Sequence, residues 1–140
     1  MIYLLSIIIA GVALLGVVMS SQAQTTKKGR GTSKLDKGLV ANRWNNLEAS
    51  AGTGANGLRN ALFEADKLFD YCMQGLGYPG DTFAERLKIA QKQLANKEAV
   101  WQAHKLRNAM AHDINFDLVN SQVRDALAGF KHGLKDLGAL

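Results

Sequence analysis

Apolar side chains recur at three- and four-residue spacings through the chain beyond residue 38, and the interruptions fall on glycine, proline or clustered polar residues. Leu39, Val40, Trp44, Leu47 and Ala51, with Arg43 among them, predict a short amphipathic helix from about Leu39 to Ala51 that Gly52-Thr53-Gly54 ends. Leu58, Leu62, Ala65, Leu68, Phe69 and Cys72 lay a continuous stripe along a longer helix from about Asn56 to Gln74. Gly75-Leu76-Gly77-Tyr78-Pro79-Gly80 favours a turn over further helix.

Thr82-Phe83-Ala84-Glu85 has capping-box spacing, with Thr82 placed to cap the helix amides and Glu85 to reciprocate. The helix it opens should reach Leu94 and bury Phe83, Leu87, Ala90 and Leu94. Lys97 to His112 makes the next helix, and Asp113, Asn115 and Asp117 offer turn or cap residues after it. Leu118, Val119, Val123, Ala126, Leu127, Phe130, Leu134 and Leu137 mark a long final helix. No alternating strand pattern competes. The expected fold is all-α: an up-and-down bundle of four main helices with a shorter leading helix beside them, over residues 39–140. About 100 residues suffice for one modest core and not for two domains, and no internal repeat is evident.

Ahead of the bundle the pattern changes. Residues 2–20 are almost wholly apolar and the first charged side chain is Lys27, so this stretch is long enough to cross most of a roughly 30 Å hydrocarbon layer. Residues 1–23 fit a retained membrane anchor, with a cleaved signal peptide as the alternative, since Ser21 and Ala23 would suit processing after Ala23. Charge order separates the two. No Lys or Arg precedes the apolar run, whereas Lys27, Lys28, Arg30, Lys34 and Lys37 follow it, and basic residues prefer the cytoplasmic side. The expectation is a single-pass protein with its carboxy-terminal domain in the cytoplasm; cleavage would instead give a secreted or outward-facing product.

Residues 24–38 then read as a basic, flexible linker. Lys27 to Lys37 carries a net +4, while the rest of the chain beyond it balances to +1, so the basic character belongs to the neck. Such a segment beside a membrane span attracts anionic headgroups. A polyanion such as RNA would satisfy the same charges, but position alone already accounts for them. The near-neutral bundle lends RNA binding no separate support.

The chemistry of the chain concentrates in Lys97 to His112. At 100° per residue His104, Arg107, Asn108, Ala111 and His112 share an arc of about 140°, opposite Ala99, Ala103, Leu106 and Met110. His112 can take or deliver a proton near neutral pH, Arg107 offers a planar fork for phosphate or carboxylate, and Asn108 can orient either group. Two such helices facing each other across a homodimer would gather paired Arg107 and His112 residues around one phosphodiester.

Arg107-Asn108-Ala109-Met110-Ala111-His112 resembles the Arg-polar-x-x-x-His signature of HEPN domains, and Glu64-Ala65-Asp66 with Trp101-x-x-His104-x-x-Arg107 adds to the likeness. The resemblance spans Leu39 to Leu140. It implies an all-helical, commonly dimeric bundle that is either a metal-independent ribonuclease leaving a 2′,3′-cyclic phosphate or a non-catalytic relative. In the enzyme, Arg107 would contact phosphate, Asn108 would orient and His112 would act as acid or base. The competing structural account pairs Arg107 with Glu64 or Asp66, ties Asn108 to a loop carbonyl and leaves His112 on the negative end of the helix dipole. The favoured expectation is an interaction or structural module whose partners are the bilayer and an RNA or protein, with ribonuclease activity as the alternative.

Other features carry less. His104, Asn108 and His112 form an i, i+4, i+8 ladder, but histidines two turns apart do not readily share one ion, so no metal is expected. Gly52-x-Gly54-x-x-Gly57 matches a glycine fingerprint only in spacing and lacks the preceding strand, so no cofactor is expected. The lone Cys72 excludes an internal disulfide and reads as a small buried apolar residue. Trp44 and Trp101 read as core rather than base-stacking platforms, His132 as exposed, and Tyr78 as the one aromatic that a loop would present.

Overall fold

The computed structural model describes residues 35–112 and 119–140. Five α-helices and no strand make up those residues: α1 (Lys37–Ala51), α2 (Ala55–Gly75), α3 (Phe83–Ala90), α4 (Lys97–His112) and α5 (Asn120–Asp136). The all-α class and the number of helices agree with the hydrophobic pattern. The apolar leader and the segment 113–118, with Asp113, Asn115, Asp117 and Leu118, lie outside the described residues. Among the described residues no helix is long and apolar enough to cross a membrane.

Local chemistry sets the boundaries. Asp36 accepts a hydrogen bond from the Leu39 amide at 3.0 Å, so α1 starts at Lys37, inside the stretch read as linker. The capping box at Thr82 forms in full: Thr82 Oγ1 accepts from the Glu85 amide at 3.2 Å, and Glu85 Oε2 accepts from the Asp81 and Thr82 amides. Those amide donors hold the Glu85 carboxyl below its usual range. α3 is shorter than expected, because the chain tightens into a 3-10 turn at Gln91–Gln93 and becomes extended at Leu94. There Asp136 accepts from the Ala95 amide at 2.9 Å and Asn96 caps α4 through the Ala99 amide at 3.1 Å. Leu94 still reaches the core, so the apolar spacing is correct for burial and wrong for helix length.

α2 is the hub, packing against each of the other four helices. Leu58, Leu62, Ala65, Leu68, Phe69 and Cys72 are all buried, as the stripe requires. Phe69, Phe83 and Phe130 bring α2, α3 and α5 together with ring centroids 5.5–6.4 Å apart, the spacing that aromatic pairs prefer. Trp44 is buried; Trp101 is half-buried and donates to Gln91 Oε1 at 2.9 Å; Tyr78 packs on the core instead of standing out from its loop. His132 is exposed. Burial pushes the Cys72 thiol up to about 12, with Arg43 opposing weakly.

Two close approaches depend on missing side chains. Gly133 of α5 lies against Phe69 and Val100, where a Cβ would come within 2.8 and 2.9 Å of their side chains. Gly57 in the first turn of α2 lies against α1, and a Cβ there would stand 2.1 Å from the Ser50 carbonyl oxygen and 2.2 Å from Thr53 Oγ1. The first neighbour is backbone and cannot move aside as a side-chain tip can.

Gly57→Ala should therefore destabilise the bundle by about 1–3 kcal/mol despite alanine's higher helix propensity, as a lower midpoint in chemical denaturation. Cys72 should resist alkylation at neutral pH in the native protein and react fully once denaturant unfolds the bundle; mass spectrometry after a timed thiol quench reads the difference.

Candidate functional site

α4 buries more than one face. Ala103 and Met110 enter the core from the expected apolar back, where Ala99 and Leu106 are half-buried, but Val100, His104 and Arg107, on the arc opposite, also turn inward. His104 and Arg107 meet Asp66, whose side chain is only 8 % exposed. His104 Nδ1 lies 2.7 Å from Asp66 Oδ1, and Arg107 Nε lies 3.6 Å from Asp66 Oδ2. Asn108 closes the group: its Nδ2 is 3.2 Å from His104 Nε2, and its Oδ1 accepts from an Arg107 terminal nitrogen at 3.0 Å. Asp66, His104, Asn108 and Arg107 thus form a ring of polar contacts across the α2–α4 seam.

Aromatic side chains shape both sides of that ring. Phe83 stacks on the His104 imidazole with centroids 3.9 Å apart and planes within 5°, so the imidazole cannot swing without breaking a contact made by α3. The Arg107 guanidinium sits over Phe63 of α2 at 5.3 Å. One turn before Phe63, Arg59 donates to the Met110 carbonyl oxygen at 2.8 Å, satisfying one of the last-turn carbonyls that a helix end leaves without an intrahelical donor. Arg59 thus fixes the end of α4 that bears His112.

The residues singled out from sequence divide accordingly. Arg107 and Asn108 are half-buried and hydrogen-bonded to each other, while His112 is exposed as the last residue of α4 and makes no hydrogen bond to either. Of the two carboxylates offered as partners for Arg107, Asp66 is the one that meets it; Glu64 points outward and pairs with Lys67 on the surface. Among the described residues Asn108 bonds to the side chains of Arg107 and His104. Both nitrogens of His104 are engaged within the ring, and no group of three metal-ligating side chains occurs among the described residues.

A second charged contact supports the first. One turn along α2 from Asp66, Asp70 takes a bidentate pair from Arg86 of α3, Nε to Oδ1 at 2.8 Å and a terminal nitrogen to Oδ2 at 2.9 Å. The other terminal nitrogen of Arg86 donates to the Gly80 carbonyl oxygen. The Gly-rich turn is thereby strapped to α2, and α3, which carries Phe83, is held where its ring meets His104. Asp70 in turn holds the Arg86 charge above its already high usual range. Arg59, Phe63 and the Asp70–Arg86 pair were not read from sequence, and Phe83 was read as a core residue and not as a neighbour of His104. The available signal was the Asp66-x-x-x-Asp70 spacing, which puts two carboxylates on one face of a helix otherwise committed to the core.

Compared with protein-family models, with curated proteins and with solved structures, the chain matches none.

Replacing Asp66 with Ala would leave a buried imidazole N–H and a half-buried guanidinium without their carboxylate. The expected loss is about 3 kcal/mol, on the order of 10–15 °C in melting temperature for a domain of this size. Asp66→Asn retains an acceptor for His104 and should lose about half as much, roughly 1–2 kcal/mol. Thermal denaturation followed by circular dichroism ranks the two.

Proposed function

We propose that this chain is a membrane-tethered, HEPN-like helical domain, facing the cytoplasm, that works as an interaction or structural module. The observation that carries the reading is the engagement of Arg107: it is held by Asp66, Asn108 and the Phe63 ring, while the exposed His112 lies outside that ring. A guanidinium meant to stabilise charge on a phosphoryl group serves best when its donors are preorganised around an empty anion position. Here the carboxylate of Asp66 already stands beside it. The apolar leader and the basic neck support the tether, because a positive segment immediately after a membrane span favours the cytoplasmic side and anionic headgroups. The exposed face of α4, with Glu98, Gln102 and Lys105, and the end bearing His112 remain for contact with an RNA or protein partner, or with a second copy of the chain.

The alternative, a metal-independent ribonuclease, differs in outcome. The full chain in detergent, incubated with a varied RNA pool and a chelator, should leave the RNA intact, and His112→Ala and Arg107→Ala should behave alike except that Arg107→Ala lowers the melting temperature. Cleavage that leaves 2′,3′-cyclic phosphate ends and disappears in both variants would replace the module reading with the enzyme. Protease added outside sealed cells should spare the helical domain; its digestion from outside would overturn the cytoplasmic orientation.

A further inference from the structure

We propose that His104 is a positioning residue that couples a proton to the Arg107–Asn108 pair: the ring of Asp66, His104, Asn108 and Arg107 closes with one proton arrangement only, and a second proton on the imidazole opens it. The two fixed members of the ring set the arrangement. A carboxylate can only accept hydrogen bonds and a guanidinium can only donate them, whereas an imidazole and an amide can do either. Asp66 Oδ1 at 2.7 Å therefore requires the proton of His104 on Nδ1. Arg107 donating at 3.0 Å requires the amide oxygen of Asn108 on its side, which turns the amide NH2 toward His104. Nε2, 3.2 Å from that NH2, must then be the bare, accepting nitrogen. The assignment follows from the chemistry of the two ends and holds however the amide is drawn.

A second proton has no place in this circuit. A proton on Nε2 would face the amide NH2, donor against donor. Turning the amide over to offer its oxygen to Nε2 would move the same clash to Arg107. Either way Asn108 loses one of its two hydrogen bonds, to His104 or to Arg107, so protonation of His104 and opening of the ring at Asn108 are one event. The imidazole cannot escape by rotating, since Phe83 is stacked on it at 3.9 Å. From α2 the charged group facing it is Asp66, and from its own helix Arg107; the neighbouring charges Asp70 and Arg86 are spent on each other. Among the described residues α5 brings no charged side chain within ion-pair distance of the ring. The outcome is a regulatory property of the α2–α4 seam: the ring that holds the half-buried Arg107 is closed when His104 is neutral and open at Asn108 when it is charged. This inference rests on hydrogen-bond geometry and not on the interaction reading, so each can fail alone.

The test uses the full 140-residue chain, uniformly labelled with 15N and held in detergent micelles, with its three histidines assigned through His112→Gln and His132→Gln. Long-range proton–nitrogen correlation at mildly alkaline pH should show His104 protonated on Nδ1 and bare on Nε2. On acidification the Arg107 Nε–H signal should shift along the same titration curve as the His104 ring. In Asn108→Ala, which removes the link through the amide and leaves the one through Asp66, the Arg107 signal should follow His104 by a clearly smaller shift. A proton on Nε2 in neutral His104, a wild-type Arg107 signal indifferent to His104, or unchanged coupling in Asn108→Ala would each overturn the proposal. The tautomer is read from the wild-type chain alone, so it stands as a test even where the variant loses helicity.

Discussion

The arrangement of α2 and α4 depends on one constraint: the carboxylate of Asp66 is buried and must be answered. Withdrawing a charge from water costs several kcal/mol unless opposite charge and hydrogen bonds replace the lost hydration. Asp66 obtains both from a single neighbouring helix, through His104 at 2.7 Å and Arg107 at 3.6 Å. His104 and Arg107 are three residues apart and so lie on one face of α4. Satisfying Asp66 therefore fixes the rotation of α4 about its own axis as well as its distance from α2. Apolar burial alone would tolerate a small roll of that helix, because Val100, Ala103 and Met110 are adaptable in packing and make no directional contacts. The polar ring removes that freedom.

The constraint spreads along α2 because Asp66 is not alone there. Asp70 lies one turn away on the same face, where two like charges would repel. Each is neutralised by a different element, Asp66 by α4 and Asp70 by Arg86 of α3. The two pairs meet again through Phe83, which α3 carries onto the His104 ring. A helix of eight residues such as α3 has little stability of its own, since helices that short are marginal in water. Its capping box, its strap to Asp70 and the burial of Phe83 and Leu87 supply what length does not. In exchange α3 closes one side of the polar ring, so the short helix and the charged seam hold each other in place.

The hydrophobic pattern made the helices legible because burial and periodicity report the same thing. The stripe on α2 and the buried positions Val123, Ala126, Phe130 and Leu134 on α5 follow from spacing alone. Spacing could not reveal where α3 ends, since Leu94 is buried in extended backbone and the apolar pattern is blind to that change. Gly129 and Gly133 were equally invisible: a glycine at a buried helix position signals close approach only once the neighbouring helix is known. The site was legible in its residues and not in its grouping. Arg107, Asn108 and His112 stand out because arginine, asparagine and histidine are conspicuous on a helix with an apolar back. That Asp66 rather than Glu64 would face them is a matter of which side of α2 is buried, and the two positions differ by 200° around the axis. His104, placed on the polar arc and weighed as a metal ligand but given no partner in α2, is the link between Asp66 and Asn108.

The Arg-Asn-x-x-x-His run consequently divides into an inner and an outer part. Arg107 and Asn108 face the seam, where every hydrogen bond they make within the ring is to another side chain. His112 follows five residues after Arg107, about 140° further around the helix, and stands exposed at the carboxy-terminal end. There its imidazole meets the negative end of the helix dipole and the turn that Arg59 secures through the Met110 carbonyl. A motif whose two ends face different surroundings can serve folding through one and contact through the other. What joins them is the last turn of α4, and any partner that draws on His112 pulls against a helix whose rotation Asp66 has already set.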